Sequence, residues 1–275
     1  MSVLFENVTL GPLIDQASDF VKQKFLEDEK KSEEDFLKAW DTYLSIPPFR
    51  INDNIFDIYS PESKNDITDD VLTVVRYMTQ YMLILAFDAM KIDLQDPNVV
   101  MEPEVGNIGT PGRIAKMWTG KTLNDATELM CGRWNKAPRL ARFPNTHSRK
   151  IPITKRVDLN AVCSHHAAIF SSMYSEDSYA LISYIPDKFE LGISKLQRYT
   201  DYVARRGWLQ EDLAKALYDG ISKIAETDSV YIRLYRIVHS CEKNRGAQSH
   251  EGSFTTEYYG GAFEDPALRN EVKNC

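Results

Sequence analysis

Two short clusters carry residue types suited to coordination chemistry: Cys163-Ser164-His165-His166 and His239-Ser240-Cys241. Three of the five histidines fall in them. Two thiolates with an imidazole are soft-to-borderline donors that suit zinc. Three protein donors with a fourth position open describe a catalytic site, where bound water ionises near neutral pH. Four donors, from the set Cys, His, His, Cys, would instead close a structural site. A third reading makes Cys163 and Cys241 small buried apolar residues and the histidines strand caps. C-x-H-H alone is a loose pattern, so the residue types leave all three open. Both clusters fall at the ends of predicted strands. Because residues i and i+2 of a strand share a face, His239 is expected to point the same way as Cys241.

Cations form a second constellation. Arg113 and Lys116 lie one helical turn apart, Ser194-Lys195 and Arg198 make another such face, and Arg245 follows Cys241 by four residues. A lone Arg or Lys is ordinarily a solvated surface group. Set beside a metal, these groups suit a triphosphate, with forked contacts from Arg and a point charge from Lys. Gln210-Glu211 opens a predicted helix. A first-turn carboxylate there is favoured by the helix dipole alone. It is also placed to accept from the N1–H and 2-amino group of a guanine.

These groups need elements to hold them. Leu13, Ile14, Ala17, Phe20, Val21 and Phe25 recur at helical spacing. Ser32 with Asp35 reads as a capping box opening a second helix that Pro47-Pro48 ends. Residues 49–66 read as a connecting loop. Thr68 caps a long helix to about Met90, apolar on most sides and so expected to be well buried. A short helix covers Arg113 to Trp118, and residues 132–152 read as a basic, Pro-rich loop or edge. Strands are predicted at 153–163, 178–186, 229–239 and 252–261, with helices at Ser194–Arg206 and Gln210–Ala225 between the pairs. Without βαβ alternation the class is α+β with an antiparallel sheet.

Hydrophobic residues at 43% and charged residues at 27% leave enough apolar side chains for a proper core. A formal net charge of −7 opposes a nucleic-acid binder held by a general basic field. Four sparse cysteines (Cys131, Cys163, Cys241, Cys275) are no disulfide framework. The amino terminus shows no signal-peptide pattern. The most apolar stretch, Val71 to Met90, is broken by Arg76, Gln80 and Asp88 and falls short of the ~20 clean residues of a membrane span. A cytoplasmic protein with no membrane partner is expected.

Taken in order, the blocks TPGRIAKMW, CSHH, SYIP, LGISKLQRYTDYVARR, LQEDLA, VHSCEKNRG and FTTEYYGGAFEDPALRNEV resemble GTP cyclohydrolase I over roughly residues 67–275, with a divergent patch at 119–152. The resemblance implies a catalytic domain over 67–275 behind a helical extension, 1–66, that matches nothing recognised. It implies the tunnelling T-fold, an antiparallel sheet backed by two helices, assembled as a homodecamer with active sites shared between subunits. Cys163, His166 and Cys241 would hold Zn2+, and His165 and His239 would be catalytic. Arg113, Lys116, Lys195, Arg198 and Arg245 would contact the triphosphate of GTP, with Ser194 near the ribose and phosphates. Gln210 and Glu211 would read the guanine. The implied reaction hydrates GTP at C8, opens the imidazole ring and releases formate. Rearrangement of the ribose then gives 7,8-dihydroneopterin triphosphate, a precursor in pterin and tetrahydrofolate biosynthesis.

There are departures. Ser164 stands where the family usually has Glu, which removes a negative charge beside the metal. RGWLQED replaces a family pattern close to RPQVQER, so that Asp212 is an acid in place of a base. Two alternatives follow: another T-fold purine or pterin enzyme with altered chemistry, or a non-catalytic, zinc-stabilised regulatory homologue.

Overall fold

The computed structural model describes residues 11–46, 67–99, 109–123, 138–244 and 252–274. Among these, the chain forms two compact units, one holding the first four helices and the other everything from residue 138 onward. Arg245, Cys131, Cys275, Pro47-Pro48 and the expected loop at 49–66 lie outside the described residues.

The first unit contains α1 (Gly11–Glu27), α2 (Glu33–Ser45), α3 (Asp69–Ala89) and α4 (Gly109–Thr119). The Ser32 hydroxyl accepts from the Asp35 N–H at 3.1 Å, and the Asp35 carboxylate accepts from the Ser32 N–H at 3.3 Å. This reciprocal pair satisfies two amide donors and starts α2 where expected. Thr68 caps α3 in the same manner, accepting from the Val71 N–H. Phe25 of α1, Phe36 and Trp40 of α2, and Val71, Val74 and Met78 of α3 share one core. The expectation that α3 is well buried holds for its first half. Burial stops near Gln80, and Leu85 and Met90 are 37% and 60% exposed. At 21 residues α3 outruns the 17 of α1 and the 13 of α2. The two shorter helices contribute that core, and its α3 members come from the first half of the helix.

The second unit runs β1 (Arg142–Pro144), β2 (Ile153–Val157), β3 (Asn160–Val162), β4 (Ile169–Ser171), β5 (Tyr179–Tyr184), β6 (Phe189–Leu191), α5 (Ile193–Ala204), α6 (Gln210–Ala225), β7 (Val230–His239), α7 (Ser240–Lys243), β8 (Phe254–Tyr259) and α8 (Pro266–Lys273). An antiparallel sheet has the order β2-β5-β7-β4-β3, with β8 on the other edge of β7. Alternation with period two sends Ala180, Ile182, Ile232 and Leu234 to one face, where Leu196, Tyr199 and Val203 of α5 and Leu213, Leu217 and Ile221 of α6 cover them. Leu181 and Tyr231 point the other way, against Phe263 and Val272. The α+β class and the two backing helices are as expected from the sequence.

One expected strand is two. Residues 153–163 break at Asp158, whose N–H donates to Gln197 Oε1 (2.9 Å) and whose carbonyl accepts from Gln197 Nε2 (3.0 Å). The α5 side chain takes both backbone groups of Asp158 out of the ladder. β2 therefore pairs with β5, and β3 pairs with β4 at the far end of the sheet. β7 is bent by a bulge between Leu234 and Ile237, with Arg236 at φ +51°. Before the bulge β7 pairs with β5; beyond it, Val238 and His239 pair with Ser171 and Phe170 of β4. No helix among the described residues is long and apolar enough to cross a membrane.

Candidate active site

The short hairpin between β3 and β4 presents the first cluster. The Cys163 N–H donates to the Ala168 carbonyl (2.7 Å) and the Ala167 N–H donates back to the Cys163 carbonyl (2.9 Å). Ala167 turns the chain at φ +49°, a conformation that costs an alanine roughly 1–2 kcal/mol and is held here by the paired strands on either side. Cys163 is thereby buried at the base of the turn while His165 and His166 stand exposed on it. The second cluster corrects the strand argument. β7 ends at His239, and Cys241 lies on α7, a single helical turn. Ser240 anchors that turn to the start of β4 by donating to the Ile169 carbonyl (2.6 Å). Proximity of His239 and Cys241 thus comes from a strand end feeding a helical turn, not from a shared strand face.

These two turns bring one donor atom each from Cys163, His166 and Cys241 within 4.8 Å of one another. Cys163 Sγ and His166 Nδ1 are 3.5 Å apart. Burial, reinforced by the neighbouring Cys163 sulfur, pushes the Cys241 thiol up. Ionising both thiols side by side is unfavourable unless a cation balances them, which a divalent metal ion does. The donor set and its spacing fit zinc.

The cluster forms one wall of a cavity of about 420 Å³. Trp208 builds the adjoining wall. Its N–H donates to the Val162 carbonyl (2.7 Å), its carbonyl accepts from the Ser164 N–H (3.1 Å), and its indole Nε1 donates to the Val203 carbonyl (2.6 Å). The α5–α6 connection is thus bridged to the strand end carrying Cys163, and the next residues, Gln210 and Glu211, start α6 at the cavity. Glu211 is exposed there; Gln210 is only 3% exposed. Gln210 Nε2 donates to Thr256 Oγ1 (2.9 Å) and to the Phe254 carbonyl (3.3 Å), and Gln210 Oε1 lies 2.7 Å from His239 Nε2. The His239 ring stacks on Phe170, with centroids 4.6 Å apart and planes 3° apart, and meets Phe254 edge-on. Burial lowers the imidazolium pKa of His239, and the Glu211 charge partly offsets this.

Other expected site residues are not gathered here. Ser194 and Arg198 are exposed and Lys195 half-buried on the first turns of α5, and neither they nor His165 line the cavity. Arg113 and Lys116 lie on α4, in the first unit. A wider groove of about 920 Å³ carries Asp187, Asp219, Glu226 and Asp228 against Lys150 and Lys223, an acidic balance unsuited to a polyphosphate. Trp208, Phe170, Phe254, Thr256 and Glu242 carry no motif that marks them in the sequence. The Glu242 carboxylate lines the cavity and packs against Gly252, where a Cβ would lie 2.4 Å from Oε2 and would push the Glu242 side chain aside.

An antiparallel sheet backed by two helices, with a Cys-His-Cys cluster at a strand end, is the architecture of a T-fold enzyme. Residues 101–275, more than half of the chain, match the family described as GTP cyclohydrolase I. GTP cyclohydrolase 1 of Blochmanniella pennsylvanica is 32% identical over 158 residues, 57% of this chain and 66% of that relative's own length. The protein of the same name from Wigglesworthia glossinidia brevipalpis is 28% identical over 197 residues, 71% and 79% of the two chains. That from Flavobacterium johnsoniae is 25% identical over 241 residues, 86% and 93%. The chain belongs to the GTP cyclohydrolase I family of enzymes.

Proposed function

We propose that the chain is a zinc-dependent GTP cyclohydrolase I, converting GTP and water to 7,8-dihydroneopterin triphosphate and formate. The observation that carries this reading is the convergence of Cys163, His166 and Cys241 at the wall of a cavity that also presents His239 and Glu211. A zinc ion held by those three residues would supply a hydroxide nucleophile near neutral pH. Glu211 accepts from N1–H and the 2-amino group of guanine, which turns C8 toward the cysteine wall. His239, with His165 as a second proton carrier, protonates the imidazole nitrogen as the ring opens. Ser194, Lys195 and Arg198, with Arg113, Lys116 and Arg245, hold the triphosphate. Because Ser194, Lys195, Arg198 and His165 stand outside the cavity of one chain, we read the full site as shared between chains of a homodecamer. Catalysis belongs to residues 67–275, with 1–66 as a helical extension. Two thiol ligands suit a reducing, cytoplasmic setting.

One observation favours a second reading: Ser164, beside Cys163, in place of the family's Glu. It fits altered chemistry on a related purine nucleotide. The deciding experiment supplies the zinc-loaded chain with GTP and measures formate and the pterin product. Folded, zinc-replete protein that releases no formate from GTP rules the first reading out. Formate from another purine nucleotide alone establishes the second.

A further inference from the structure

Both donors of the Gln210 side chain are engaged by β8, and its oxygen faces His239. The Phe254 carbonyl can only accept, so the group facing it must be the Gln210 amide nitrogen. That nitrogen also donates to Thr256 Oγ1. Both of its hydrogens are then used, and Oε1 necessarily faces His239 Nε2 at 2.7 Å. An amide oxygen can only accept, so His239 Nε2 must carry a hydrogen. The amide is 3% exposed and its orientation is set from two strands at once, His239 on β7 and the other two partners on β8.

We infer that Gln210 is a positioning residue for His239, holding its ring as the Nε2–H tautomer, and that its side chain does not read the guanine. This rests on the cyclohydrolase reading only for its consequence in catalysis. With the Nε2 hydrogen engaged by Gln210, Nδ1 is the ring nitrogen left for work on the nucleotide. Phe170, stacked at 4.6 Å, fixes the plane of the ring while Gln210 fixes its rotation within that plane. The guanine is left to Glu211.

The test uses the full-length zinc-loaded protein labelled with 15N-histidine, with His239 assigned by comparison with His239→Gln. Solid-state 15N spectra above the pKa of the ring are expected to show a protonated Nε2 and a bare Nδ1. Gln210→Met, close in shape and without the hydrogen bonds, is expected to mix the tautomers. It should lower kcat by about 10- to 100-fold, the scale found when the hydrogen-bond partner of a metal-bound histidine is removed. Its KM for GTP and its zinc content should stay near native. Gln210→Glu, which keeps an acceptor toward Nε2, should recover part of kcat. If Gln210→Met fails to fold, Thr256→Val, which removes one of the two clamps, should shift the same 15N signals. A protonated Nδ1 in the native protein overturns the inference. So does a Gln210→Met protein with raised KM and native kcat, the behaviour of a base-reading side chain. Should native protein release no formate from GTP, the cyclohydrolase reading fails, while the 15N signals still decide the tautomer.

Discussion

Replacing His239 by alanine separates proton transfer from metal binding. The donor cluster consists of Cys163, His166 and Cys241, so zinc content should be unchanged in His239→Ala. Two structural losses accompany the change. Gln210 Oε1, on a residue 3% exposed, loses its donor, and an orphaned buried acceptor costs about 1–3 kcal/mol. The stack on Phe170 and the edge contact with Phe254 are worth about 0.5–1.5 kcal/mol each. A domain stable by about 5–15 kcal/mol survives this. For a chain of this size the melting temperature should fall by roughly 5–15 °C. The rate loss is of another order: removal of a general acid lowers turnover by about 10²- to 10⁴-fold, or about 3–5.5 kcal/mol of barrier. Formate release from GTP, zinc content by atomic absorption and a thermal melt should therefore separate cleanly. Full zinc, a modest loss of stability and almost no formate are expected. Native-rate formate from folded His239→Ala would refute the catalytic assignment and leave His165 as the candidate. Loss of zinc would instead make His239 a ligand.

Cys163→Ala and Cys241→Ala should each lose both metal and turnover, from a starting content of about one zinc per chain; a rigorously metal-free sample with full activity contradicts the assigned donor set. GTP should be turned over far better than guanosine, and Arg198→Ala should raise KM for GTP, if the cations on α5 hold the triphosphate as proposed; equal kcat/KM for GTP and guanosine removes that role. Light scattering should give the mass of ten chains in solution, and an active monomer would eliminate the shared site.

Local elements were legible in the sequence because their signals are local. α6 was expected from Gln210 to Ala225 and has those bounds, since its apolar residues repeat with the helical period over four turns. The Ser32–Asp35 capping box lies within four residues and is formed as read. β7 ends at His239 as expected, ahead of Cys241. What escaped was short or set by distant partners. β4 and β6 have three residues each, too few for a period to register. The break at Asp158 exists because Gln197, on a later helix, captures its backbone.

The donor residues could be named from the chain because thiols and imidazoles are chemically distinctive wherever they stand. That His166, rather than His165 or His239, joins the two cysteines is a property of the turn at Ala167 and of α7, both set by how β3, β4 and β7 pair. Gln210 marks the boundary most sharply. From the sequence it is a free amide beside Glu211, equally suited to a base edge. Only the folded sheet supplies Phe254, Thr256 and His239 to consume its donors and acceptor. Hydrogen-bond partners that come from remote strands leave no periodic trace in the chain, so its tertiary setting decided what this residue does.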